Sequence, residues 1–143
     1  MGIFLDTGFL VGLCHPNDDF HQNSVNILKE MSTGKFGLIY TSPYVISEAA
    51  TLLLIRTYGN LKLIEEFYDL LYGTHQFTRI LPWTSEIEKR TWELFKDINQ
   101  KAKTEKDYIS FVDASNIAYC RTYDIDHIAS FDSHFDGFLI RIM

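Results

Sequence analysis

The sequence lacks paired cysteines, a surplus of positive charge and any long apolar run, and each absence narrows what the chain can be. Its two cysteines, Cys14 and Cys120, stand alone, outside any Cys-x-x-Cys pair or Cys/His cluster. That spacing argues against a structural zinc site and fits buried thiols in a reducing cytoplasm. Lysine and arginine total 13 against 19 aspartates and glutamates, a formal charge of −6. Without a global basic field, contact with nucleic acid must come from a local patch or from bound cations. No apolar run approaches the roughly 18 residues of a membrane span. Asp6 interrupts the N-terminal apolar stretch too early for a signal peptide, so a cytoplasmic protein with no membrane association is expected. Internal repeats, linkers and low-complexity tracts are also missing. What remains is a 143-residue chain that is 46% hydrophobic, and a chain of this length buries roughly 68% of its unfolded surface. A single domain over residues 1–143 is expected.

The pattern alternates strands with helices. "GIFLD" reads as a buried strand ending at Asp6, and Thr7 is placed to cap the short helix "TGFLVGLC". A helix is expected from His21 to Met31, then a strand in "FGLIYTS". "SPYVISEAATLLLIRTYG" carries the strongest helix signal, with Ser42 as N-cap, Pro43 at the first position and Gly59 at the end. "NLKLIEEFYDLLYG" repeats that logic. "TRILPW" reads as a short strand, "TSEIEKRTWELFKDINQKA" as an amphipathic helix, and "SFVDASNIAYCRTY" as a helix capped by Ser110. "DHIASF" and "FLIRIM" are the last two strands. This order predicts a three-layer α/β/α sandwich around a central, mostly parallel sheet.

Four carboxylates sit in apolar surroundings. Asp6 follows "IFL", Glu48 lies in "VISEAA", Asp113 follows "FV", and Asp132 follows "IASF". Ligands of open α/β sheets bind beyond the carboxyl ends of the strands, where Asp6 and Asp132 fall. Glu48 is about two turns into a helix that follows a strand, and Asp113 is in the first turn of another. Gathered in one cleft, the four would repel one another, and such a cluster takes up protons or binds cations. All-oxygen ligation suits Mg²⁺ or Mn²⁺ rather than zinc. A metal so held can activate water and brace a phosphodiester. Each acid also has a plainer reading. Asp6 and Asp132 fit turns, Glu48 fits an exposed helix face, and Asp113 completes a Ser-x-x-Asp capping box with Ser110. Asp136, before Gly137, fits a turn better than a ligand.

The stretches "IFLDTGFLVGL", "SPYVISEAATLL" and "DYISFVDASNIAYCRTYDIDHIASFDSHF" together resemble the PIN-domain family, above all its VapC-type toxin ribonucleases. The resemblance spans the chain, and the third stretch is its most specific part. It implies a PIN-like fold and a metal-dependent endoribonuclease hydrolysing RNA, using Mg²⁺ or Mn²⁺. It implies Asp6, Glu48, Asp113 and Asp132 as the catalytic and metal-binding quartet, with Thr7 and Ser130 as neighbouring hydroxyls. Ser130 stands where the family often has threonine. Asp136 matches a position that is acidic in only some members. The resemblance further implies a homodimer and an antitoxin partner. With such a site, Asp132 would have a cation as its partner, and Phe131 and Phe135 would anchor its turn in the core.

Other readings are weaker. A haloacid-dehalogenase-type phosphatase needs a second aspartate two positions after the first, where Gly8 stands. A receiver domain needs a phosphoacceptor aspartate after strand three, and "LPWTS" has none. The serious rival is a non-catalytic PIN-like scaffold or RNA-binding domain, which would ordinarily have lost some of the acids. Lys101, Lys103 and Lys106 form a basic cluster that suits a solvated loop better than phosphate contacts. The five histidines show no shared ligand spacing and read as surface or turn residues. Tyr58, Phe67, Tyr68, Tyr72 and Phe77 exceed what a small core needs, so part of that row fits a dimer or antitoxin surface.

Overall fold

The computed structural model describes residues 1–143. The chain runs β1 (Gly2–Leu5), α1 (Thr7–Cys14), α2 (His21–Ser32), β2 (Leu38–Thr41), α3 (Pro43–Arg56) and α4 (Leu61–Tyr72). It continues through β3 (Arg79–Ile80), α5 (Ser85–Lys101), α6 (Phe111–Thr122), β4 (His127–Ala129) and β5 (Ile140–Ile142). Short 3₁₀ turns occupy Glu105–Asp107 and Ser133–Phe135.

The sheet has five strands in the order β3-β2-β1-β4-β5, and every pairing is parallel. Phe4 lies between Tyr40 of β2 and Ile128 of β4. From β1 the chain steps outward to β2 and β3 through α1–α4, which pack on one another. It then returns past β1 to β4 through α5 and α6, which pair closely. Right-handed crossovers place these two groups of helices on opposite faces of the sheet, giving three layers. Covered on both sides, the central strands carry Ile3, Phe4, Leu5, Ile128 and Ala129 fully buried. That explains their unbroken apolar run. The Phe4 ring stacks on Tyr119 of α6 with centroids 5.8 Å apart, tying sheet to helix. Truncating such a ring to alanine costs about 3–5 kcal/mol.

The helix starts follow from local chemistry. Ser42 accepts from the Val45 N–H at 3.3 Å ahead of Pro43. Asn60 and Thr84 do the same for Leu63 and Ile87. Each bond satisfies one of the amides that a helix start leaves unpaired. At the end of α3, Tyr58 and Gly59 both take positive φ, 53° and 78°, and the Gly59 N–H donates back to Leu54 at 2.9 Å.

Thr7 is not a cap. It is the first residue of α1, and Asp6 occupies the cap position without making a cap bond, because its carboxylate is engaged elsewhere. The regular ladders are shorter than the apolar runs. β3 keeps two residues, since it lies at a sheet edge and Pro82 beyond it has no N–H to give. No helix is long and apolar enough to cross a membrane.

Candidate active site

The chain leaves β1 toward β2 and leaves β4 toward β5, in opposite directions across the sheet. The carboxyl ends of β1 and β4 therefore flank a topological switch point, the usual place for a ligand crevice in an open α/β sheet. Asp6 is the first residue after β1, and Ser130 to Asp132 follow β4. A cleft of about 460 Å³ opens there, lined by Asp6, Thr7, Glu48, Asp113, Asp132 and others. Four acids from four separate segments thus share one cavity. Asp136 does not join them. It is exposed, and Arg141 holds it through two bonds of 2.8 and 3.1 Å, which keep its carboxyl below the usual range.

Asp6 is the most deeply placed, 7% exposed. Asn116 of α6, itself fully buried, donates to its Oδ1 at 3.0 Å. The Ser130 hydroxyl donates to its Oδ2 at 2.7 Å. Burial nevertheless dominates and pushes the carboxyl up to about 6, with Asp113 and Asp132 adding to the rise. Ser130 Oγ also accepts the Asp132 N–H at 3.1 Å, so one hydroxyl links the β1 and β4 ends of the site. Thr7 Oγ1, beside Asp6, is buried and has no partner.

Asp113 has two duties. Ser110 Oγ accepts its N–H at 3.0 Å, and its Oδ2 accepts the Ser110 N–H at 3.3 Å. The capping box is real, and the same carboxylate faces the cleft. Burial raises its pKa first, the Ser110 bonds oppose this, and Asp132 raises it further. Asp132 caps the following 3₁₀ turn by accepting the His134 N–H at 2.9 Å. Glu48 projects from the exposed side of α3 and makes no side-chain hydrogen bond or ion pair within the chain.

His134 lies in a turn, Ser133–Phe135, as expected of the histidines, but its side chain also meets the acids. Its Nδ1 lies 3.2 Å from Asp132 Oδ1 and 3.7 Å from Asp113 Oδ2, ion-pair contacts without hydrogen-bond alignment. Its Nε2 lies 3.0 Å from the Lys106 carbonyl, which can only accept, so Nε2 carries a proton. That bond first, then the two carboxylates, raises its pKa. Asp132 therefore has a side-chain neighbour as well as any cation. Phe135 is buried as a core anchor, and Phe131, half-buried, packs against the core and also stacks on Phe20. Asp18 and Arg56 also line the cleft, 3.5 Å apart. Lys101 is engaged with Asp97 at 3.2 Å.

The donor set suits a hard divalent cation. Asp113, Asp132 and His134 present ligand atoms within 4.8 Å of one another. Asp6 has lone pairs to spare, since a carboxylate offers about four acceptor positions and two are used. The orphaned Thr7 oxygen is a further unused acceptor at the same place. A mainly oxygen set with one imidazole admits Mg²⁺ or Mn²⁺.

An open parallel sheet with an acidic, oxygen-rich crevice at its switch point defines an α/β protein with a clustered-carboxylate cleft. The sequence model of the PIN domain matches residues 3–138, and the chain belongs to that family. It is 26% identical over 136 residues to a VapC ribonuclease of Archaeoglobus fulgidus, covering 94% of this chain and 80% of the relative. Among solved structures it resembles VapC20 of Mycobacterium tuberculosis, a sarcin-ricin loop cleaving toxin, with a TM-score of 0.73 and 26% identity. That match covers 96% of this chain and 97% of the other. The fold also matches VapBC2 of Rickettsia felis, bound to a DNA fragment from their promoter, with a TM-score of 0.68 at 16% identity over 99% and 97% of the two chains.

Proposed function

We propose that this chain is an endoribonuclease that hydrolyses RNA phosphodiester bonds with the help of Mg²⁺ or Mn²⁺, and that it is the toxin of a toxin–antitoxin pair. The observation carrying this reading is the convergence of Asp6, Glu48, Asp113 and Asp132 on one cleft at the switch point. Its relatives in sequence and structure include a VapC ribonuclease and an RNA-cleaving toxin, which supports the choice of RNA. Asp6, Asp113 and Asp132, with Glu48 from across the cleft, would hold the ion. A divalent cation in such a site supplies Lewis acidity to a phosphoryl oxygen and lowers the pKa of water.

The chain's own residues set the stage for this. Asn116 and Ser130 fix both oxygens of Asp6, so the carboxylate is oriented before any ligand arrives. The Ser110 N–H holds one oxygen of Asp113, Oδ2. Glu48, exposed and without a side-chain partner, keeps both carboxylate oxygens available for the ion. Asp6→Asn or Asp113→Asn should abolish cleavage of total RNA in Mn²⁺ while leaving circular dichroism unchanged. Near-wild-type cleavage by either variant would remove that residue from the site. A wild type that cleaves nothing would favour the non-catalytic PIN-like domain.

The partner reading rests on α3 and α4, where Leu54, Ile55, Tyr58, Leu61, Tyr68 and Tyr72 are 41–98% exposed. An apolar row of this kind marks an interaction surface. We assign it to a homodimer contact or to the antitoxin, with the protein acting in the cytoplasm. Light scattering that shows a clean monomer at high concentration would rule out self-association and leave the antitoxin.

A further inference from the structure

We propose that the Phe20–Phe131 pair at the wall of the acidic cleft seats one unpaired nucleobase of the substrate, with Arg56 placed for the adjoining phosphate. This rests on the ribonuclease reading above and adds to it a subsite outside the carboxylates. The two rings stack with centroids 4.3 Å apart and planes within 9° of parallel. Both residues line the same cleft as Asp6 and Asp113. Phe131 packs against the core, whereas Phe20 lies outside it and is 46% exposed. Burial alone therefore gives no account of a phenylalanine at position 20, while a third planar ring joining the stack would.

Asp18 makes the arrangement a fixed one. Its Oδ1 accepts the Phe20 N–H at 2.9 Å, and its Oδ2 lies 3.5 Å from the Arg56 guanidinium. One largely buried carboxylate thus ties the Phe20 backbone to the cation. Arg56 is the sole basic residue among the twelve that line the cleft, against five acids. Its side chain remains half exposed, so its donors are not used up by Asp18. A π-face beside a guanidinium, a short way from an acidic centre, matches the repeat of base and phosphate along a single strand. A base inside a duplex has both faces covered by its neighbours and could not enter.

Stacking on an aromatic side chain tolerates any base, and removing the aromatic costs about tenfold in affinity or more. The test uses a labelled single-stranded RNA cleaved by the wild type, with matched oligonucleotides in which one nucleotide at a time is made abasic. For the wild type, one abasic position near the cleaved bond should raise KM about tenfold, with a smaller effect on kcat. Phe20→Leu keeps an apolar cover over Phe131 but removes the stacking face. It should raise KM by a similar factor, and the abasic position should then cost it almost nothing more. Phe20→Tyr should behave as the wild type. A flat abasic scan of the wild type would overturn the subsite even if Phe20→Leu failed to fold. So would a folded Phe20→Leu with an unchanged KM. A wild type that cleaves no RNA at all would instead overturn the ribonuclease reading, and the subsite with it.

Discussion

Burial pushes the Asp6 carboxyl from 3.8 up to about 6, against the Ser130 hydroxyl that donates to it. The folded chain therefore holds this proton more tightly than the unfolded chain does. The associated stability is fully present below the unfolded value and is lost as the pH rises toward about 6. Such a rise corresponds to roughly 3 kcal/mol. Asp6→Asn has no proton to lose. Its amide oxygen can still accept from Asn116, and its amide nitrogen can donate to the Ser130 hydroxyl. In EDTA, the melting temperature of this variant relative to the wild type should climb between pH 4 and pH 7, by on the order of 10 °C. A difference that stays flat across that range would mean that Asp6 ionises as freely folded as unfolded. An acid beside an apolar run is conspicuous in a sequence, which is why Asp6, Asp113 and Asp132 can be picked out without coordinates. Asn116 gives no such signal. It is a neutral residue inside a helix, and its bond to Asp6 joins positions 110 residues apart. His134 is equally silent, since its placement depends on the Lys106 carbonyl from a distant loop.

Helix α6 begins with a device that serves the fold and the site together. The Ser110–Asp113 box satisfies amides at the helix start and also fixes the direction of the Asp113 carboxylate. Ser110→Ala should cost about 1 kcal/mol of stability, because the Asp113 N–H loses its acceptor. The Ser110 backbone N–H that holds Asp113 Oδ2 remains, so the cleavage rate of the folded variant should stay near that of the wild type. Ser110→Thr keeps the oxygen and should restore the stability. A folded Ser110→Ala with much reduced turnover would show that the hydroxyl, and not the backbone N–H alone, orients Asp113. At this scale most of the fold is open to sequence reasoning. Ser42, Asn60 and Ser110 are caps as their side chains dictate, and all five strands fall inside the apolar runs. The extent of each ladder is not readable, because pairing needs a neighbour at the right register. β2 keeps Leu38–Thr41 of "FGLIYTS", and β3 is two residues long. Thr7 illustrates a second limit. Hydroxyl residues favour helix caps, but here the preceding Asp6 takes the cap position.

Over the whole molecule, the charge distribution makes the proposed cation a stability element as well as a chemical one. The net charge is −6, and five acids line the cleft against one arginine. Burial and mutual repulsion raise the pKa of Asp6 and Asp113, so at neutral pH the metal-free fold works against its own site. A cation that binds the folded chain alone stabilises by about 2.7 kcal/mol at a hundredfold excess over its dissociation constant. For a domain of this size that is a melting shift on the order of 5–10 °C. Mn²⁺ or Mg²⁺ should therefore raise the melting temperature at pH 7.5, and EDTA should reverse it. Asp113→Asn separates charge from capping, because an amide oxygen can still accept the Ser110 N–H. Without metal this variant should melt above the wild type, one repelling charge having gone. With metal it should gain much less. Equal metal-induced shifts in the two proteins would mean that Asp113 does not bind the ion, and the four-carboxylate site would then be wrong.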